Sequence, residues 1–255
     1  MPIRLDEWTD LLRREYLEDF IASGGSAVKI VVTEPHAVAV ALGAVENEAT
    51  STGYLAARVD SAATRIHMIH QVFHAVARQV DWDRVTNQWM RSQFSENGIT
   101  VPEGVSLHEM DAIADANDRL KPQLFGEINR LIQNGIEKDY AMAREFRTAV
   151  TMLCLGIVNP QNVSPSDADV VKQWLRGEFA NLSSLKRLQI YQKIGRHNAR
   201  LLLSSLAVWL RKAGYSGLVL TLDINAVTGS PAVENSVRYT RAGVLDTYEV
   251  LRQCI

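Results

Sequence analysis

Cysteine is nearly absent from this chain, with Cys154 and Cys254 the only two among 255 residues. That excludes a disulfide framework and points to a reducing compartment, the cytoplasm. No apolar run approaches the roughly 18 residues that a membrane span requires. The first residues, MPIRLDEWTDLL, are acidic and amphipathic and lack the basic segment and apolar core of a secretion signal. Charge of one sign is also missing: the formal net charge is -2, so no global field draws the protein toward nucleic acid or membrane. Any such contact has to be local.

What is present is ordinary for a globular protein: 47% hydrophobic and 22% charged residues, enough to build a sizeable core. The length fits one large domain or a domain carrying a helical insert. Apolar residues at helical spacing (Leu5, Trp8, Leu12, Tyr16, Phe20) predict an entry helix over 5–22, ended by Ser23-Gly24-Gly25-Ser26. The β-branched run Ala27 to Val32 reads as a strand, Glu34-Pro35 as a turn, and the residues to Ala49 as a helix. Tyr54 to Val59, closed by Asp60, reads as a second strand, so the order calls for a right-handed crossover and a parallel sheet. A helix is expected over Thr64 to Val80, and helices without a strand from Trp82 to about Gly177. A long helix from Leu185 to Ala213 and a buried strand, Gly217 to Asp223, follow.

The strand-turn-helix at Lys29 to Ala49 is the frame of a phosphate-binding loop. The pattern G-x-x-x-x-G-K-[ST] falls on Thr33 to Val40, where Thr33, Val38, Ala39 and Val40 replace both glycines, the lysine and the hydroxyl residue. Such a loop needs glycines so that backbone N–H groups can turn around the phosphates, a lysine for charge and a hydroxyl for Mg²⁺. Val38 resists a positive φ, Ala39 has no charge and Val40 no oxygen. A helix start keeps some affinity for anions, yet three requirements fail together.

Three further constellations carry less chemistry. His67, His70 and His74 recur at helical steps, but no orienting carboxylate accompanies them, so no metal site is assigned. Gln189, Lys193, Arg196 and Arg200 make a basic stripe on the expected long helix, with no aromatic interleaving. It could meet nucleic acid or an acidic partner, and is more commonly a solvated face. Asp60, Asp223, His36 and Arg238 sit at strand ends or adjoining turns, where α/β sheets take ligands, but they supply no nucleophile and base set.

The runs YLEDFIASGGSAVKIVV (Tyr16 to Val32), WLRG (Trp174 to Gly177), RKAGYSGLVLTLD (Arg211 to Asp223) and the closing SVRYTRAGVLDTYEVLRQCI together resemble the BREX-system ATP-binding proteins, the BrxC/BrxD-like P-loop family of bacterial phage defence. The resemblance implies an AAA+-like P-loop ATPase fold and a place in a multi-subunit defence or DNA-modification system. It also exposes departures. The family's GEPGSGKS-type loop is TEPHAVAV here, and its Asp-Glu pair is Asp223-Ile224, without the carboxylate that polarises the attacking water. The family's later strands and lid are expected to be missing.

The expectation is therefore an α/β, P-loop NTPase-like (AAA+-like) parallel sheet flanked by helices, with a large all-helical insertion. Residues 1–81 and 181–255 form the core and 82–180 the insertion. The degenerate nucleotide site comprises Thr33, Glu34, Pro35, His36, Val38, Ala39, Val40, Asp223 and Ile224. No catalysis and no cofactor are expected. The expected role is a pseudo-ATPase scaffold or regulatory subunit whose partners are proteins of a defence complex, an active ATPase relative or a second copy among them. A nucleic-acid module using Lys193, Arg196 and Arg200, and a residual ATP-binding protein, are the alternatives.

Overall fold

The computed structural model describes residues 3–178, 182–229 and 237–253. Cys254, the end of the closing run and the 180/181 domain boundary lie outside them. The chain divides into two compact units: Met1–Gln79, Gly195–Arg200 and Tyr215–Ile255 make one, Val80–Ile194 and Leu201–Gly214 the other.

The first unit is α/β. Helix α1 (Leu5–Leu11) runs on as a π-helix, Leu12–Phe20. A single 3₁₀ turn, Pro35–Ala37, introduces α2 (Val38–Ser51). Gly53, at φ 83°, then turns the chain into β1 (Tyr54–Asp60), because only glycine takes that conformation without a Cβ clash. β1 pairs in parallel with β2 (Gly217–Asp223), in a register running from Tyr54 opposite Gly217 to Asp60 opposite Asp223. Ser216 fastens the two strand starts: its N–H donates to Gly53 O at 2.9 Å and its Oγ to Thr52 O at 2.7 Å. Leu17, Ala49 and Tyr54 form a buried cluster, extended by Ile21, Ala56 and Val219. The Tyr54 hydroxyl donates to Leu17 O at 2.5 Å, which satisfies a phenol that would otherwise be buried unpaired. Helices α3 (Ile69–Ala77), α11 (Asn225–Thr228) and α12 (Arg241–Gln253) complete the unit.

Two expectations fail here. The run Ala27 to Val32 is not a strand; it pairs with neither β1 nor β2, and Ile30 and Val32 are 75% and 93% exposed. Composition sets a residue's preference for extended backbone, but a strand exists only beside another, and β1 and β2 took each other. The helix expected over Thr64 to Val80 is shorter, Ile69–Ala77, because the chain turns from Ser61 to Met68 and leaves His67 off the helix.

The second unit contains helices alone among its described residues: α4 (Trp82–Glu96), α5 (Met110–Ala116), α6 (Lys121–Ile132, continued as a π-helix over Gln133–Glu137), α7 (Arg144–Val158), α8 (Pro165–Arg176) and α9 (Leu182–Arg187). It also holds α10 (Ala199–Lys212) from Leu201 onward. Two of them have explicit caps. Asp81 accepts from Arg84 N–H at 3.0 Å, and Ser164 and Asp167 form a capping box within which Pro165, the first helical residue, fixes the first φ. The core is aromatic: Trp89 meets Trp209 at 5.3 Å between ring centroids, and Trp82 meets Phe146 at 6.3 Å. All four are essentially inaccessible. Gly135 lets α6 approach, since a Cβ there would lie 2.7 Å from Trp89 Cζ2.

Leu185 to Ala213 is not one helix. It is α9, an irregular link, and α10. Gln189 takes φ 60°, and the Asn198 side chain accepts from Gly195 N–H at 2.8 Å, a local bond that competes with helix continuation. The apolar spacing on either side is real, but periodicity does not register such an interruption.

Candidate functional site

The two halves of the expected nucleotide site both lie in the α/β unit. Thr33 and Glu34 are irregular and exposed, Glu34 in extended geometry. Pro35 and His36 stand in the 3₁₀ turn, also exposed. Val38, half-buried, opens α2, and Ala39 and Val40 are exposed in its first turn. The start of α2 has no side-chain cap. The residues at the lysine and hydroxyl positions thus occupy a helix's first turn, where such groups would work, and bring only methyl groups.

At the other half, Asp223 ends β2 beside Asp60, its register partner at the end of β1. Each carboxylate bonds its own turn. Asp223 Oδ1 accepts from Asn225 N–H at 3.0 Å, and Asp60 Oδ1 from Ala62 N–H at 2.7 Å. Ile224 is the residue before α11 and presents no polar side chain. His36 and Arg238 are exposed, and among the described residues no hydrogen bond or ion pair joins either to the two aspartates.

Sequence reading missed the group that joins the halves. Glu46, on α2, accepts from Arg58 of β1 at 2.5 and 2.7 Å in a bidentate pair and from Thr221 Oγ of β2 at 3.0 Å. One carboxylate therefore ties the helix to both strands, and its bond raises the Arg58 pKa further. A glutamate among apolar helix residues was the available signal, but its partners are 12 and 175 residues distant. A second tether was also missed. The Tyr239 hydroxyl accepts from Ile66 N–H at 3.1 Å and lies 3.0 and 2.8 Å from Ser61 O and Thr64 O, fixing the loop after β1.

The histidines do not form one set. His70 and His74 share α3 with ring centroids 6.3 Å apart, while His67 packs edge-on against Tyr239 at 5.5 Å. Among the described residues no group of three or more His, Cys, Asp or Glu is placed to hold a metal. Nδ1 of His67 and of His70 is buried without a hydrogen bond. Both imidazoles lie below their ordinary pKa, chiefly because burial disfavours the charged form, with Arg196 adding repulsion.

The basic stripe is corrected with the helix that carried it. Lys193 and Arg196 fall in the irregular link and only Arg200 is helical, so the three share no helix face. Arg196 lies 3.6 Å from Asp246.

These features can be set beside known proteins. The model of the family described as BREX system ATP-binding protein BrxC/D matches residues 14–228. The chain belongs to that family. Membership places it among the components of the BREX phage-defence system, and the match spans both the Thr33–Val40 loop and the Asp223-Ile224 strand end of this BrxC/D relative. No curated protein and no solved structure matches the chain. Among the described residues no helix is long and apolar enough to cross a membrane.

Proposed function

We propose that this BrxC/D family member is a pseudo-ATPase, a non-catalytic scaffold or regulatory subunit of a phage-defence assembly. In this reading the α/β unit is the remnant of a P-loop, AAA+-like core and the helical unit an insertion within it. One observation carries the proposal: the first turn of α2 holds Val38, Ala39 and Val40 where glycine, lysine and a hydroxyl residue would bind phosphate and Mg²⁺. The second half agrees, since Asp223 is engaged in its own turn and Ile224 replaces a general base. The Glu46 clamp supports a fold kept for its surfaces, because it ties α2 to both strands through the protein's own side chains.

Isothermal titration with ATP and Mg²⁺ is the direct test. No heat of binding is expected at concentrations where active P-loop proteins saturate, and micromolar affinity would overturn the proposal. The scaffold role is tested with an ATPase relative from the same system: the two are expected to co-elute in size-exclusion chromatography with light scattering. Independent elution at micromolar concentrations counts against it.

A further inference from the structure

We propose that Lys186–Lys193, in the helical unit, is a contact surface for single-stranded nucleic acid, a role beyond the scaffold reading and independent of it. The chain is slightly acidic as a whole, yet between Glu178 and Asp223 it carries no carboxylate, while lysine and arginine recur seven times. Its described part in the helical unit has a specific shape. Leu188, Ile190 and Ile194 point inward and are buried, and Lys186, Arg187, Gln189, Tyr191, Gln192 and Lys193 are exposed. Gln189, in the left-handed region at φ 60°, ends α9 and sets up this alternation. Trp174 Nε1 donates to Gln192 O at 3.0 Å and anchors the far end, so the segment is a held loop.

Two features select the partner. Tyr191 is 63% exposed, and in the sequence it is preceded by Lys186 and Arg187 and followed by Lys193, all of them exposed. An exposed aromatic ring on a segment that also exposes cations is the chemistry that stacks an unpaired base while charges track the phosphates. An acidic protein would use the cations but would have no need of the ring, and duplex DNA does not offer an unstacked base. Second, Arg187 is pre-positioned: its Nη2 contacts buried Asp167, yet two-thirds of its side chain faces solvent. That aspartate is itself fixed, its carboxyl held below the ordinary value mainly by the Ser164 hydrogen bond.

The test is fluorescence anisotropy of the full chain with a labelled single strand of roughly 20 nucleotides, against the same sequence as duplex. Binding at about 50 mM salt is expected, weakening steeply as salt rises. Tyr191→Ala should weaken single-strand binding about tenfold without changing the salt slope, and Tyr191→Phe should retain it. Lys186→Glu with Lys193→Glu should flatten the log–log slope by about 1.4, the share of two phosphate contacts. Circular dichroism checks that each variant is folded. Arg187 is left intact because removing it would strand Asp167. Absence of binding at low salt overturns the proposal. So does a silent Tyr191→Ala, whether duplex binds equally or poly-glutamate displaces the strand, the latter identifying an acidic protein as the partner.

Discussion

The helical unit buries all four of its tryptophans, whereas the α/β unit leaves part of its apolar sequence in solvent. In the first, Trp82, Trp89, Phe146 and Trp209 are all inaccessible. In the second, Ile30 and Val32 stand in solvent, and Leu218, Val219, Leu220 and Leu222 of β2 are only half-buried. A helix satisfies its backbone internally and needs neighbours only for one face, so a run of amphipathic helices can close a core by itself. A strand needs a neighbour for its backbone too, and a two-stranded parallel sheet falls short of the covering that such sheets ordinarily receive.

The largest effects should therefore fall in the helical unit. Trp89→Ala removes a ring packed on Trp209 and is expected to cost about 3–5 kcal/mol in urea unfolding. Val32→Ser in the α/β unit should stay within about 0.5 kcal/mol. Comparable losses would mean that Val32 is covered in solution, and the contrast would break. Next comes Gly135→Ala, which forces Trp89 aside and should cost about 1–3 kcal/mol. A neutral result would mean that the Trp89 ring has room to shift.

Glu46→Ala sharpens the comparison from the other side. It dissolves the tie between α2 and both strands, but the groups are partly exposed and screened, so about 1 kcal/mol is expected. A double-mutant cycle with Arg58→Ala isolates the pair.

The smallest effect is on pH. His67 and His70 are held neutral by burial, so the unfolded chain binds protons that the folded chain refuses. Stability present above the ordinary histidine value of about 6.5 is lost as pH falls from there toward the lowered folded values. Asp246, Arg65 and Arg196 act electrostatically on the His67 ring, and Tyr239 packs edge-on against it. His67→Gln with His70→Gln should flatten the profile between about pH 7 and 5; an unchanged slope assigns it elsewhere.

Much of this was legible in order of residues. The strands ending at Asp60 and Asp223 and the aromatic core helices follow from local pattern. The Thr33–Val40 substitutions are local facts, and no packing can give Ala39 a charge or Val40 a hydroxyl. What local pattern could not reach were choices between partners. Whether Ala27 to Val32 became a strand depended on which strand stood beside β2. Whether Leu185 to Ala213 was one helix depended on an Asn198 side chain bonding Gly195 N–H.

By itself, then, the sequence determined the family likeness, the apolar faces and the side chains from Thr33 to Val40, because each is written in side-chain chemistry or short-range spacing. Only the tertiary structure decided that Glu46 would clamp β1 and β2, that the basic stripe would dissolve, and that Tyr191 would stand exposed. Those outcomes rest on contacts between residues far apart in the chain or on single backbone turns, where the free energies that decide are too small and too distant for periodicity to record.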